Sequence, residues 1–177
     1  MASLALICHP QTPALAVTGI VLRWSAVGGR IILRWQVDGA EKLVVPPFAG
    51  KGRADNLWQH TCFELFLKGP GEAYREFNFS PSERWAAYAF ERYREGMTQA
   101  PLSDTPQIVA VRGDHILTHT VTLPGDVLGD GVAAGISAVI EEAGGHKSYW
   151  ALAHAPGQPD FHNAACFTLA IGAAEAP

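Results

Sequence analysis

The stretch LWQHTCFELFLKGPGEAYREFNFSPSERW, Leu57 to Trp85, decides how the chain folds. Side chains of a strand alternate between its two faces. In the first part of this stretch Leu57, Gln59, Thr61, Phe63, Leu65 and Leu67 share one face, and Trp58, His60, Cys62, Glu64 and Phe66 the other. Gly69, Pro70 and Gly71 interrupt the run. A second alternating run sets Arg75, Phe77 and Phe79 against Tyr74, Glu76 and Asn78. Two such runs joined by a short Gly/Pro segment predict a β-hairpin. Ser80-Pro81-Ser82 then turns the chain into a third strand from Arg84 toward Glu91.

The flanking sequence continues the pattern. Leu4 to Cys8 reads as a short strand. Leu15 to Val27 and Arg30 to Val37 read as a hairpin across Gly28-Gly29, with Trp24 and Trp35 as packing residues. Lys42 to Val45 reads as a short strand, and Pro46 to Asn56 as a loop whose cations are Lys51 and Arg53. Ile108 to Val111 and His115 to Leu123 read as a hairpin with an exposed threonine face, and Pro124 to Leu128 as one helical turn. Gly131 to Glu142, Lys147 to Ala153 and Cys166 to Ile171 read as the last strands. Ten to twelve short strands without an amphipathic helix predict an all-β fold, two antiparallel sheets packed as a sandwich. Residues 1–172 read as one domain, with 173–177 a frayed tail.

Composition sets further bounds. The chain has 177 residues, 48% of them hydrophobic, which is enough for a sizeable core. Charged residues are 17% against the usual ~25%, which excludes a disordered chain. The net charge of −4 and the absence of a basic run leave no footprint for nucleic acid. No stretch approaches the ~18 apolar residues of a membrane span. The start MASLALICHPQTPA has no basic segment and no long apolar core of a secretory signal. The three cysteines, Cys8, Cys62 and Cys166, are too sparse for a disulfide framework. They read as reduced thiols, and the expected location is cytoplasmic.

One face of the central meander collects Trp58, His60, Glu64, Glu76 and Asn78, with Arg84 following. A flat aromatic ring covers the apolar C–H side of a sugar, while carboxylates accept from its hydroxyls and arginine donates to them. The competing reading is a buried tryptophan with carboxylates paired to Arg75 or Arg84 inside the core. A regular strand separates Trp58 from Glu64 by about 20 Å, long for one monosaccharide. Glu64 and Glu76 could also form a glycosidase pair if the hairpin brings them within ~5–9 Å. His154, Asp160, His162 and Cys166 are metal-ligand types, with His60 and Cys62 more distant. Their spacing matches no standard zinc pattern, and the favoured reading is a polar loop whose histidines cap or hydrogen-bond backbone groups. No GxSxG is present, and Cys62 with His60 makes a poor nucleophile–base pair.

The segments LWQHTCFELFL and YREFNFSPSERWAAYAF, followed by SYWALAHAPGQPDFHNAACF, resemble the DOMON-like and family 9 carbohydrate-binding-module superfamily. The likeness is greatest to bacterial DOMON-like proteins of unassigned function. It implies a jelly-roll-like β-sandwich with a ligand site on one face or edge. In the sugar-binding relatives a tryptophan opening this strand and a glutamate six residues later contribute to the site. Those positions are Trp58 and Glu64 here, and Arg84 and Trp150 are the counterparts of a later arginine and a second tryptophan. Haem-binding relatives ligate iron with Met and His. The only internal methionine here, Met97, has no histidine beside it in sequence, which argues against haem.

The leading expectation is a non-catalytic domain binding a small carbohydrate or related polar ligand without a cofactor. The first alternative is an interaction domain that meets a protein partner or a second copy of itself as a homo-oligomer. The second is an enzyme using a divalent metal on the His154–His162 loop.

Overall fold

A computed structural model describes residues 2–129 and 133–170. Thirteen strands occur among them: β1 Ala2–Cys8, β2 Gly19–Val27, β3 Arg30–Asp38, β4 Gly52–Arg53, β5 Cys62–Lys68, β6 Tyr74–Phe79, β7 Arg84–Phe90, β8 Thr98–Gln99, β9 Gln107–Arg112, β10 Ile116–Pro124, β11 Ala133–Glu142, β12 His146–Ala151 and β13 Leu169–Ala170. The chain is all-β, as its alternation predicts. Only single 3-10 turns interrupt it, at Ala40–Lys42, Leu57–Gln59, Gly125–Leu128 and Ala164–Cys166.

The predicted pair of separate antiparallel sheets needs correction. The strands form one curled, mixed sheet in the order β4-β7-β6-β5-β11-β12-β1-β2-β3-β10-β9. Continuity comes from β1. Its residues Ala2 to Leu6 pair with β2, while Ile7 and Cys8 pair with β12. The β4–β7 pair is parallel. The β2–β3 hairpin turns on Gly28 and Gly29, whose φ values of 58° and 69° suit the two-residue turn that matches strand twist.

The two halves of the curled sheet face each other across the main core. Trp35 of β3 packs on Phe63 of β5 with ring centroids 5.4 Å apart, and His119 of β10 stacks on the same Phe63 at 4.4 Å. Trp24, half-buried, packs at the margin of this core. On β5 the predicted alternation holds: Phe63, Leu65 and Leu67 enter the main core, while Phe66 joins a second cluster on the opposite face. That second cluster contains Tyr74, Phe90, Val139, Ala151 and Phe161. The half-sheet around β5 is therefore buried on both faces, and segments outside the strands supply its second cover.

Several boundaries differ from the sequence expectation. The segment expected to be a strand at Lys42 to Val45 opens with a 3-10 turn and keeps only the bridge Leu43–Glu142. Residues 15–18 are not part of β2. Leu15, Ala16 and Val17 instead donate backbone N–H groups to the buried Glu142 carboxylate, at 2.7, 2.6 and 3.2 Å. Cys166 closes a 3-10 turn, so the last strand begins at Leu169. Gly131, Val132, Ile171 and the tail at 173–177 lie outside the described residues.

Candidate functional site

The outer face of the β5 half-sheet forms the floor of a cavity of about 1070 Å³. Glu64 and Phe66 come from β5, Glu76 from β6, Tyr88 and Phe90 from β7, Val139 from β11 and Tyr149 from β12. The walls come from Gln11 and Thr12, from Asp55, Asn56 and Trp58, from Arg94 and Met97 to Gln99, and from Gln158, Pro159, Phe161 and His162. Strand register explains the floor. Glu64 lies opposite Asn78 on one side and Ser137 on the other, and Glu76 lies opposite Phe66 and Tyr88. Glu64 and Glu76 are diagonal neighbours on one face, a relation that puts Cα atoms about 7–8 Å apart.

Trp58 reaches the cavity by a route that the sequence does not show. The central strand was expected from Leu57, yet β5 begins at Cys62. Asn56 adopts a left-handed backbone (φ 60°) and starts a 3-10 turn at Leu57–Gln59. The turn breaks the alternation, so the 20 Å straight-strand separation of Trp58 and Glu64 does not apply. Trp58 stays half exposed, at 50%. His60, the other residue expected on this face, points elsewhere and pairs with Glu141 at 2.7 Å.

The floor carboxylates are deeply buried, with Glu64 3% and Glu76 6% exposed. Ser137 Oγ donates to Glu64 Oε2 at 2.9 Å, and Asn78 Nδ2 donates to Glu76 Oε1 at 2.8 Å. Burial, then repulsion from Glu76, pushes the Glu64 carboxyl up to about 8, with the Ser137 hydroxyl opposing. Burial likewise raises Glu76, opposed by Asn78 and the charge of Arg94. Neither carboxylate is paired with Arg75 or Arg84, the arrangement of the competing core reading. Arg75 donates instead to the Val127 carbonyl.

A polar rim surrounds the pair. Tyr74 Oη accepts from the Arg94 backbone N–H at 3.1 Å and bonds His162 Nδ1 at 2.8 Å. With the Tyr74 proton directed to Nδ1, the imidazole N–H lies on Nε2 and faces Glu76 Oε2 3.6 Å away. Burial, together with the nearby Arg94 charge, lowers His162 to about 4, although Asp160 opposes this. At neutral pH the contact with Glu76 is therefore not an ion pair.

Three of the sequence candidates, Arg84, Trp150 and Asn78, do not line the cavity. Arg84 shares the strand parity of Tyr88 but sits at the far end of β7. There its Nε donates to the Ala49 carbonyl at 2.9 Å. Trp150 is 5% exposed and belongs to the main core, with Nε1 donating to Ser148 Oγ at 3.0 Å. Its neighbour Tyr149 has the parity that faces the cavity. Asn78 shares the strand face of Glu76 but is 1% exposed, and its role is to donate to Glu76.

The metal-ligand candidates are dispersed. His154 Nε2 bonds the Ile7 carbonyl at 2.7 Å. Asp160 spends its carboxylate on Arg94, Tyr93 and the His162 N–H. Among the described residues no group of three or more His, Cys, Asp or Glu side chains is placed to hold a metal ion.

Tyr88, Arg94, Tyr149 and Phe161 are among the cavity residues that sequence reasoning missed, as are Asp55 and Gln99. Parity could have found Tyr88, since it lies two positions from Phe90 on a strand paired to Glu76. Arg94 and Phe161 lie outside regular strands and carry no local signal.

No protein-family model matches the chain, and no curated protein matches its sequence. Its fold is similar to the crystal structure of a protein from Bacteroides uniformis described as "a putative carbohydrate-binding protein". The TM-score is 0.64 at 15% identity, over 94% of this chain and 84% of the other. Identity this low makes the similarity one of fold. Among the described residues no helix is long and apolar enough to cross a membrane.

Proposed function

We propose that this chain is a non-catalytic binding domain whose cavity holds a small carbohydrate. The observation that carries the reading is the cavity itself: about 1070 Å³, with aromatic rings beside two buried carboxylates. Small-ligand sites commonly enclose ~300–1,000 Å³ behind apolar walls with a few converging polar groups. Trp58, Tyr88 and Tyr149 offer surfaces for the C–H face of a sugar ring, and Glu64, Glu76 and Gln99 offer groups for its hydroxyls. Both carboxyls lie on one floor, as diagonal neighbours of one sheet face, whereas glycoside hydrolysis needs them to flank the scissile bond. The Bacteroides protein, described in terms of carbohydrate binding, supports the same reading through its fold. We also read the chain as a distant DOMON-like relative with a jelly-roll-derived sheet, on the strength of its central motif.

The test is a thermal-shift panel of mono- and disaccharides. A sugar at 100 times its Kd stabilises by about 2.7 kcal/mol. Trp58→Ala should abolish that shift and leave the unliganded Tm near wild type, because Trp58 is half exposed and outside both buried clusters. A sugar shift that persists undiminished in Trp58→Ala refutes this placement of the site.

A second reading, self-association, rests on a different observation. β9 ends the strand order, and its Val109 and Val111 are 57% and 61% exposed. It requires a mass by light scattering that rises with protein concentration.

A further inference from the structure

The charge balance of the cavity narrows its ligand. Asp55, Glu64 and Glu76 line it against a single lining arginine, Arg94. The Arg94 guanidinium is bound to Asp160 at 2.9 Å and acts on Glu76 only through space. Glu64, 97% buried by its 3% exposure, accepts one hydrogen bond at Oε2. Among the described residues its Oε1 has no donor. Asn78, opposite Glu64, lies outside the lining and spends its amide N–H on Glu76. Among the described residues the floor therefore holds a spare carboxylate acceptor at Glu64 and no free cation. A neutral hydroxyl answers that with one proton, whereas an ammonium supplies three donors, no acceptor and the missing charge. The aromatic rings that line the cavity, Trp58, Tyr88 and Tyr149 among them, favour a cation over their faces.

We infer that the cavity takes an amino sugar, a carbohydrate whose ring carries a free ammonium group, and that Glu64 and Glu76 receive that ammonium. The inference rests on the carbohydrate reading above and specifies its substrate class. Without ligand, burial and the charge of Glu76 hold Glu64 up at about 8, and burial also raises Glu76. An ammonium between them favours two charges and expels protons. The groups facing the pair are Cys62, Tyr74, Tyr88, Asp55, Arg94, Asp160 and His162. Burial raises Cys62, Tyr74 and Tyr88 and lowers His162, so these four are neutral near pH 7. Arg94 is raised and Asp160 lowered by their mutual contact, although burial opposes both, so they stay charged. A released proton therefore comes from the Glu64–Glu76 pair.

The experiment is calorimetric titration of the full chain with D-glucosamine, N-acetyl-D-glucosamine and D-glucose at about pH 6, where the free amine is protonated. Repeating it in two buffers of different ionisation enthalpy counts protons. Glucosamine should bind at least roughly tenfold tighter than either neutral sugar and release protons. Glu64→Gln and Glu76→Gln should each abolish the preference. Two variants guard against one failing to fold. Equal or tighter binding of glucose or N-acetylglucosamine overturns the amino-sugar assignment and leaves the carbohydrate reading standing. Binding of tyramine with no sugar response overturns both, as does silence from every probe. A response to calcium chloride alone assigns the carboxylates to a metal ion and likewise overturns the proposal.

Discussion

Replacing Glu64 by glutamine should change the pH dependence of stability in a calculable way. The wild-type carboxyl has an ordinary value of 4.5 in the unfolded chain and is raised to about 8 in the folded one. A folded pKa above the unfolded value means that folding binds a proton. Its contribution is complete below pH 4.5 and is lost as the pH rises through 8. Each pH unit between those values removes up to about 1.4 kcal/mol. Relative to the variant, wild type should be weakened by about 1 kcal/mol at pH 5 and up to about 4 kcal/mol at pH 8. Glutamine keeps the shape and can still accept from Ser137, so it removes mainly the charge. The comparison must be a difference, because His119, His154 and His162 titrate with the opposite sign. Their folded values are lowered by burial, which makes the fold more stable as the pH rises toward 6.5. Urea titration of both proteins at pH 5, 6, 7 and 8 without ligand measures the difference. A difference that is flat with pH, or that shrinks as pH rises, refutes the burial of a titrating carboxylate at Glu64.

Three further outcomes follow from other parts of the fold. Glu142→Ala should destabilise by about 3 kcal/mol, since it strands three backbone donors of Leu15 to Val17, and hydrogen exchange should speed up at those amides. His119 is fully buried with neither ring nitrogen bonded, so His119→Phe should raise stability by about 1–2 kcal/mol and lift the Tm, most clearly at acid pH, where the native histidine must be held uncharged. Gly39 has φ 76°, and a Cβ there would clash with the Ala16 carbonyl oxygen. Gly39→Ala should therefore cost at least about 2 kcal/mol by urea denaturation, and a loss below about 0.5 kcal/mol would contradict the close approach.

The sequence by itself determined the strands and their two faces. Alternation is a property of neighbouring residues along one backbone, so Phe63, Leu65 and Leu67 could be separated from Glu64 and Phe66 without knowing any partner strand. The same logic united Glu64, Glu76 and Asn78, because a hairpin with a short turn leaves little freedom of register. What only the tertiary structure decided depends on segments distant in sequence or outside the strand period. Trp58 joins the carboxylates because a left-handed Asn56 breaks the alternation just before β5. Tyr149 rather than Trp150 faces the cavity, since the placement of β12 is set by pairing with β11 and β1 rather than by its own pattern. Arg94 and Phe161 reach the wall on irregular segments, whose course no local periodicity encodes. The burial that raises Glu64 arises in the same way. Side chains from five strands and several loops exclude water around it, and that exclusion is a property of the assembled fold.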